Sequence, residues 1–241
     1  MKQGRELYLG TWITMGAPVA TELISQMGFD WLLLDMEHGF ITESELLSNI
    51  MAVKKEVKII VRLGLSDPKF IGRILDWGVD GVMMPQVSHP LQLHPIIEAI
   101  NYPPKGERGY SSSARLFNYG LDKTSSLEKI EPPLLIAQIE SEEGVLNSRE
   151  IASLEGVDML FVGPRDLTLD LSLENRSLSY DRALSLTIDA AAKEGKKCGI
   201  LLSPNEEPSI IESKGFNFFA IGSDLTLMRE GYKNIVNKIL K

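Results

Sequence analysis

The chain has 241 residues, 44% hydrophobic and 24% charged, with a formal net charge of −8. This is an ordinary globular composition, and its acidic balance, with no offsetting Lys/Arg block, argues against nucleic acid as a partner. One cysteine, Cys198, excludes an internal disulfide. No run approaches the ~18 apolar residues of a membrane span, and Trp12, Thr14, Gly16 and Pro18 break up any leader-like apolar stretch, so a cytoplasmic protein is expected.

Strand candidates in chain order are residues 7–13, 31–35, 58–62, 81–85, 134–139, 159–162, 198–202 and 218–221. Most are continuous apolar runs, the mark of a parallel strand covered on both faces. Between them lie amphipathic segments with helix signals. Thr42-x-x-Glu45 reads as a capping box, and Asp67-Pro68 and Ser203-Pro204 place a cap before a first-turn proline. A phrase recurs before four strands: Gly28-Phe29-Asp30-Trp31, Gly78-Val79-Asp80-Gly81, Gly156-Val157-Asp158-Met159 and Gly215-Phe216-Asn217-Phe218, with a looser copy at Gly195. Glycine just past a helix takes a left-handed turn cheaply, so each copy reads as a helix-to-strand joint. Residues 101–129, rich in proline, glycine and serine, form a long loop in which Arg108, Tyr110 and Arg115 suggest an acid-binding lid. Residues 225–241 read as a C-terminal helix. Cys198, in an apolar segment, is expected to be a buried inert thiol.

Eight strands alternating with helices imply one (β/α)8 barrel over residues 1–241. The alternative, an open doubly wound sheet, would normally open on a glycine-rich turn that Gly10-Thr11-Trp12-Ile13-Thr14-Met15-Gly16 does not match.

Polar residues gather where the apolar runs end: Asp35-Met36-Glu37-His38, Arg62, Gln86, Gln138 and Glu140, Arg165-Asp166, Ser203, and Ser223-Asp224. In a barrel that rim holds the chemistry. Glu140 and Asp166 could bind a hard divalent cation, whose other positions a 2-keto acid and water would fill; they could equally cap the helices that follow. Asp35 could fix the tautomer of His38 so that its other nitrogen acts as a base. Arg62 could steady an enolate or form an ion pair with Glu37 or Asp35. No lysine stands at a strand's C-terminal end, so an imine mechanism lacks its nucleophile. No Cys/His spacing suits zinc.

Together these residues resemble the HpcH/HpaI aldolase family. The resemblance runs through Gly28-Phe29-Asp30-Trp31, Asp35-x-Glu37-His38, Val61-Arg62, Tyr102-Pro103-Pro104-x-Gly106-x-Arg108-Gly109, Gln138-Ile139-Glu140, Phe161-Val162-Gly163-Pro164-x-Asp166-Leu167, Gly199-Ile200-Leu201 with Asn205-Glu206, and Gly222-Ser223-Asp224. It implies a metal-dependent aldolase forming pyruvate and an aldehyde from a 2-keto-3-deoxy sugar acid or a related 4-hydroxy-2-oxo acid. Glu140 and Asp166 would hold Mg²⁺ or Mn²⁺, with Co²⁺ a third candidate. His38 would be the base oriented by Asp35, Arg62 would stabilise the enolate, and Gln138 would contact the keto acid. Main-chain N–H groups near Arg165 and Asp166 would hold its carboxylate, and Trp12 and Leu201 would line the pocket. The resemblance also implies a homo-oligomer, a hexamer built as a trimer of dimers that exchange the last helix, whose apolar stripe is Met228, Tyr232, Ile235 and Ile239; packing on its own barrel would need the same stripe.

The chain departs from the family at Met36 and Gly39-Phe40-Ile41, at Arg115-Leu116-Phe117, and across residues 169–180, where a Gly-rich turn is missing. These positions fall where the distal part of the substrate would lie. Two further readings are a citrate-lyase-like carbon–carbon lyase acting on a CoA thioester and a non-catalytic keto-acid-binding barrel.

Overall fold

Eight parallel strands close on one another in chain order, each hydrogen-bonded to the next and the eighth to the first. They are β1 Tyr8–Ile13, β2 Trp31–Asp35, β3 Lys58–Arg62, β4 Gly81–Met84, β5 Leu134–Ile139, β6 Met159–Val162, β7 Lys197–Leu202 and β8 Phe218–Ser223. The α-helices among the described residues are α1 Pro18–Ser25, α2 Glu43–Ala52, α3 Pro68–Asp76, α4 His94–Ile100, α5 Glu142–Leu146, α6 Ser148–Ser153, α7 Pro164–Leu171, α8 Tyr180–Lys193 and α9 Asp224–Ile239. This is the (β/α)8 barrel expected. The computed structural model describes residues 8–64, 67–122, 127, 130–203, 206, 212 and 214–240. Leu7, Pro204, Asn205, residues 123–126, 128 and 129 of the expected loop, and Lys241 of the expected helix lie outside them.

The recurring Gly-x-Asp phrase has a physical reason. Its acid accepts the N–H that opens the strand two elements earlier: Asp30 that of Leu9 at 3.0 Å, Asp80 that of Ile59 at 2.8 Å, Asp158 that of Leu135 at 2.8 Å. Asn217 does the same for Cys198 at 3.3 Å. The four glycines carry φ of 94°, 88°, 99° and 110°, left-handed values that other residues adopt only with strain. Each copy thus joins two strands at the N-terminal rim, and the barrel reads as four such pairs. Chemistry is left to the opposite rim.

Alternation along the strands sorts the core. Leu32, Leu34, Val61, Ala137 and Val162 pack outward against the helices, while Trp31, Leu33, Ile60, Ile136 and Phe161 fill the barrel. Two residues beyond the last inward apolar side chains of β2, β3, β5 and β6 come Asp35, Arg62, Gln138 and Gly163. A period of two therefore puts a polar layer directly on top of the apolar one.

Thr42 and Glu45 form the expected capping box, and Asp67 caps α3 through the N–H of Lys69 at 2.9 Å. The loop after α4 differs from expectation. Arg108 is buried and bonds Asp76 of α3 at 2.9 Å, and Arg115 donates to the Trp77 carbonyl at 2.6 Å. Both guanidinium groups pin the loop to α3 rather than facing an incoming acid. Helix α9 projects from the barrel. Of its residues only Asp224 is buried, tied to the N–H groups of Thr14 and Met15. Met228, Tyr232, Ile235 and Ile239 are all exposed, so the stripe does not pack on its own barrel. No helix among the described residues is long and apolar enough to cross a membrane.

Candidate active site

Strand register builds the site floor. Asp35 and Arg62 are partners across β2 and β3, and the arginine forks onto the carboxylate, Nε to Oδ1 at 2.8 Å and Nη2 to Oδ2 at 2.7 Å. Arg62 Nη1 stands 2.8 Å from Glu37 Oε2, and the guanidinium lies 4.3 Å from the centre of the Trp12 ring. Asp35 is 2% exposed and Arg62 4%, so each needs the other: a charge that deep without a partner costs several kcal/mol. The ion-pair alternative for Arg62 is thus made, with both candidate carboxylates. Two of its five N–H donors are spent on Asp35, leaving donors on Nη1 and Nη2 for other acceptors.

His38 is placed differently from expectation. Asp35 reaches only its main-chain N–H, at 3.3 Å; the carboxylate beside the imidazole is Glu37, with Oε1 at 3.8 Å from Nε2. The Asp35–imidazole contact is not made because Arg62 occupies both oxygens. The His38 ring is largely open at the mouth.

Glu140 is 6% exposed. Its Oε1 accepts from Gln138 Nε2 at 2.8 Å and its Oε2 from the Gln86 N–H at 2.9 Å. Burial pushes its carboxyl up to about 7, and the charges of Asp166 and Glu37 push the same way, against the Gln86 donor and Arg62. Gln138 Oε1 is buried without a partner. Asp166 and Arg165 are exposed in the first turn of α7, where Gly163 ends the preceding stretch. Trp12 and Leu201 border the inward apolar cluster, and burial drives the Cys198 thiol well above its ordinary range.

Three residues here lay outside the catalytic, substrate-binding and metal set expected from sequence. Glu37 ties Arg62 to His38. Gln86 links the two halves of the rim, with its N–H on Glu140 and its Nε2 on Glu37 Oε1 at 3.1 Å; its φ of 54° is unusual for a non-glycine residue. A Cβ on Gly163 would stand 2.4 Å from Glu140 Oε1 and 3.0 Å from Gln138 Nε2. Alternation beyond Leu33 and Asp35 was a signal for Glu37, and Gln86 stood among the polar residues at the strand ends with no role attached. Gly163→Ala is expected to displace the Glu140 carboxylate and lower turnover ~10–100-fold, with a stability cost of ~1–3 kcal/mol from overpacking. Steady-state kinetics beside thermal unfolding checks both.

The fit of this rim to a divalent cation can be judged from its donors. Asp35 and Glu37 pair with Arg62, while burial first, and then the charges of Asp166 and Glu37, raise the Glu140 carboxyl. Hard oxygen donors of this kind suit Mg²⁺ or Mn²⁺. Among the described residues no three acidic or His/Cys groups converge as a complete metal cage.

With its fold and rim, and its aldolase-named relatives, the chain is a carbon–carbon lyase built on a (β/α)8 barrel. Residues 9–231 match the HpcH/HpaI aldolase/citrate lyase family, and the chain belongs to that family. It is 33% identical to a hydroxypyruvate/pyruvate aldolase of Delftia acidovorans, over 95% of this chain and 87% of that protein. It is 34% identical to a 5-keto-4-deoxy-D-glucarate aldolase of Escherichia fergusonii, over 98% of this chain and 93% of that one. A crystal structure of a family protein from Burkholderia cenocepacia superposes with a TM-score of 0.89 at 25% identity, covering 99% and 96% of the two chains.

Proposed function

We propose that the protein is a divalent-metal-dependent class II aldolase that cleaves, or forms, a 4-hydroxy-2-oxo acid such as a 2-keto-3-deoxy sugar acid, with pyruvate and an aldehyde as the other partners. The observation that carries this reading is the buried Glu140 carboxylate, gripped by the Gln138 amide and the Gln86 N–H beside an unpartnered Gln138 oxygen. Glu140 and Asp166 hold Mg²⁺ or Mn²⁺, with Co²⁺ a further candidate. A bound cation supplies Lewis acidity to the keto oxygen. The N–H groups at Arg165 and Asp166, which open α7, receive the carboxylate of the keto acid. Arg62, held rigid by Asp35 and Glu37, directs its remaining N–H donors toward the developing enolate oxygen. His38, open to solvent, moves the proton of the 4-hydroxyl, and Glu37 is the carboxylate near it. Trp12 and Leu201 keep water from the reacting carbons. The whole chain acts as one barrel domain, and the exposed stripe of α9 supports a homo-oligomer in which that helix lies on a neighbour, as in a trimer of dimers; native mass spectrometry reads this directly.

The test is proton exchange at the pyruvate methyl in D₂O by NMR. Exchange that needs Mg²⁺ or Mn²⁺ and stops with EDTA is expected. Bound pyruvate with no exchange under either metal would leave a keto-acid-binding barrel in place of an aldolase.

The raised Glu140 carboxyl sets a pH dependence. A cation takes the ionised form, so below about pH 7 each binding event must expel a proton, and affinity drops ~10-fold per pH unit. In the metal-free protein the folded pKa lies above the unfolded value. The stability that Glu140 contributes is therefore fully present below about pH 4.5 and lost as pH rises through about 7. The stabilisation by Mg²⁺, read as the difference in unfolding temperature with metal and with EDTA, is expected to grow from pH 5.5 to pH 8. A difference that stays flat over that range would detach Glu140 from the metal.

A further inference from the structure

The two elements that carry the proposed metal ligands are clasped together by a polar network with no part in the chemistry so far. Glu140 follows β5, and α5 begins two residues later at Glu142; Asp166 lies in the first turn of α7. Asp170, one helical turn beyond Asp166, accepts the main-chain N–H of Glu142 through Oδ2 at 2.8 Å. Its Oδ1 takes Arg176 Nη2 at 2.6 Å. Arg176 belongs to the segment between α7 and α8, which the Glu142 side chain holds in turn: Oε1 accepts the N–H groups of Ser177 and Leu178, each at 2.7 Å, and the Ser177 hydroxyl at 3.1 Å. Side-chain exposure is 17% for Asp170 and 24% for Arg176, so these bonds work in a partly desolvated setting where they are stronger than at an open surface.

The start of α5 is fixed from its other side as well. Ser141 Oγ accepts the Gly144 N–H at 3.1 Å. Gly144 lies so close to the Val87 carbonyl that a Cβ there would stand 2.6 Å from it, and Val87 follows the Gln86 whose N–H holds Glu140. One face of α5 therefore abuts the residues that grip Glu140, and its first N–H is tied to the helix that bears Asp166. Asp170, Arg176, Ser177 and Leu178 of this network fall within residues 169–180, where the chain departs from the pattern of the family it resembles.

We propose that Asp170 is a positioning residue of the metal site: by holding the Glu142 N–H against α7, with its own rotamer locked by Arg176, it sets the separation of Glu140 and Asp166. The proposal rests on those two residues being the ligands, as assigned above. Small errors in ligand spacing are felt strongly by a hard cation with near-octahedral demands.

The experiment titrates Mn²⁺ into the metal-free full-length protein, followed by EPR, for wild type, Asp170→Ala, Asp170→Asn and Arg176→Met, with thermal unfolding in EDTA alongside. Asp170→Ala is expected to weaken Mn²⁺ binding ~10-fold, and Arg176→Met ~3-fold. Asp170→Asn keeps an acceptor for the Glu142 N–H and should recover most of the affinity. A residue that merely stabilises the fold would lower the unfolding temperature and leave Mn²⁺ affinity as in wild type; that result overturns the proposal. Should Asp170→Ala not fold, Arg176→Met decides on the same reading. If wild type itself takes up no Mn²⁺, the ligand assignment falls and the clamp with it; wild-type binding matched by both variants removes the clamp alone.

Discussion

Glu140→Gln is expected to abolish metal uptake and pyruvate chemistry together while making the metal-free protein more stable. The amide has the shape of the carboxylate but no charge, so one of the two proposed ligands is lost, and a ~10³-fold or larger fall in metal-dependent methyl exchange follows, about 4 kcal/mol of lost transition-state stabilisation. Stability moves the other way. The wild-type carboxyl is raised from 4.5 to about 7, chiefly by burial, so ionising it at pH 8 costs the metal-free fold up to roughly 3 kcal/mol. Glutamine removes that cost. Its new N–H₂ replaces the oxygen that accepts from Gln138 Nε2, so the Gln138 amide turns over to receive it on Oε1, now buried without a partner, while the remaining oxygen keeps the Gln86 N–H. Three measurements read the outcome: Mn²⁺ titration, methyl exchange by NMR, and thermal unfolding in EDTA at pH 8. Exchange at the wild-type rate would show that Glu140 is not a ligand. Lost activity together with lost stability would show that its role is to hold the rim, not the cation.

The strands were legible because a parallel barrel covers both faces of each, which leaves uninterrupted runs such as residues 134–139. Three of their described ends differ from the observed ones by a residue or two: β4 stops one residue before Pro85, Lys197 opens β7 one residue earlier, and Gly222 and Ser223 carry β8 two residues further. The rim was legible for a related reason: an inward position two residues past the last buried apolar side chain must be polar if it faces a mouth. Pairing was not legible. Asp35 is 27 residues from Arg62 in sequence and only three from His38, so local reasoning joined it to the histidine. Parallel register, which sets Asp35 opposite Arg62, decides otherwise, because a forked guanidinium satisfies both carboxylate oxygens and an imidazole satisfies one. The arginines of the 101–129 loop failed for the same cause. Arg108 and Arg115 look available in sequence, but α3 supplies Asp76 and the Trp77 carbonyl from more than thirty residues away.

Arg62→Met is expected to be the most destabilising single change at the site. It leaves Asp35 at 2% exposure with its two side-chain donors gone and only the N–H groups of Glu37 and His38, at 3.1 and 3.3 Å, still facing it. Breaking one half of a buried pair costs ~3–5 kcal/mol, which for a chain of this size lowers the unfolding temperature by ~6–20 °C. Activity should fall ~10³-fold at the same time, since the donors proposed to meet the enolate are lost. The two effects have different origins and can be separated. Asp35→Leu placed beside Arg62→Met removes the orphaned charge and fills its volume, as apolar replacements of whole buried pairs often do without loss of stability. The double variant is expected to regain most of the unfolding temperature and none of the exchange activity. Recovery of both would make Arg62 a structural strut whose loss had merely unfolded the rim. Recovery of neither would mean that Glu37, 2.8 Å from Nη1, depends on the arginine as heavily as Asp35 does, and replacing Glu37 as well is then the change that restores the fold.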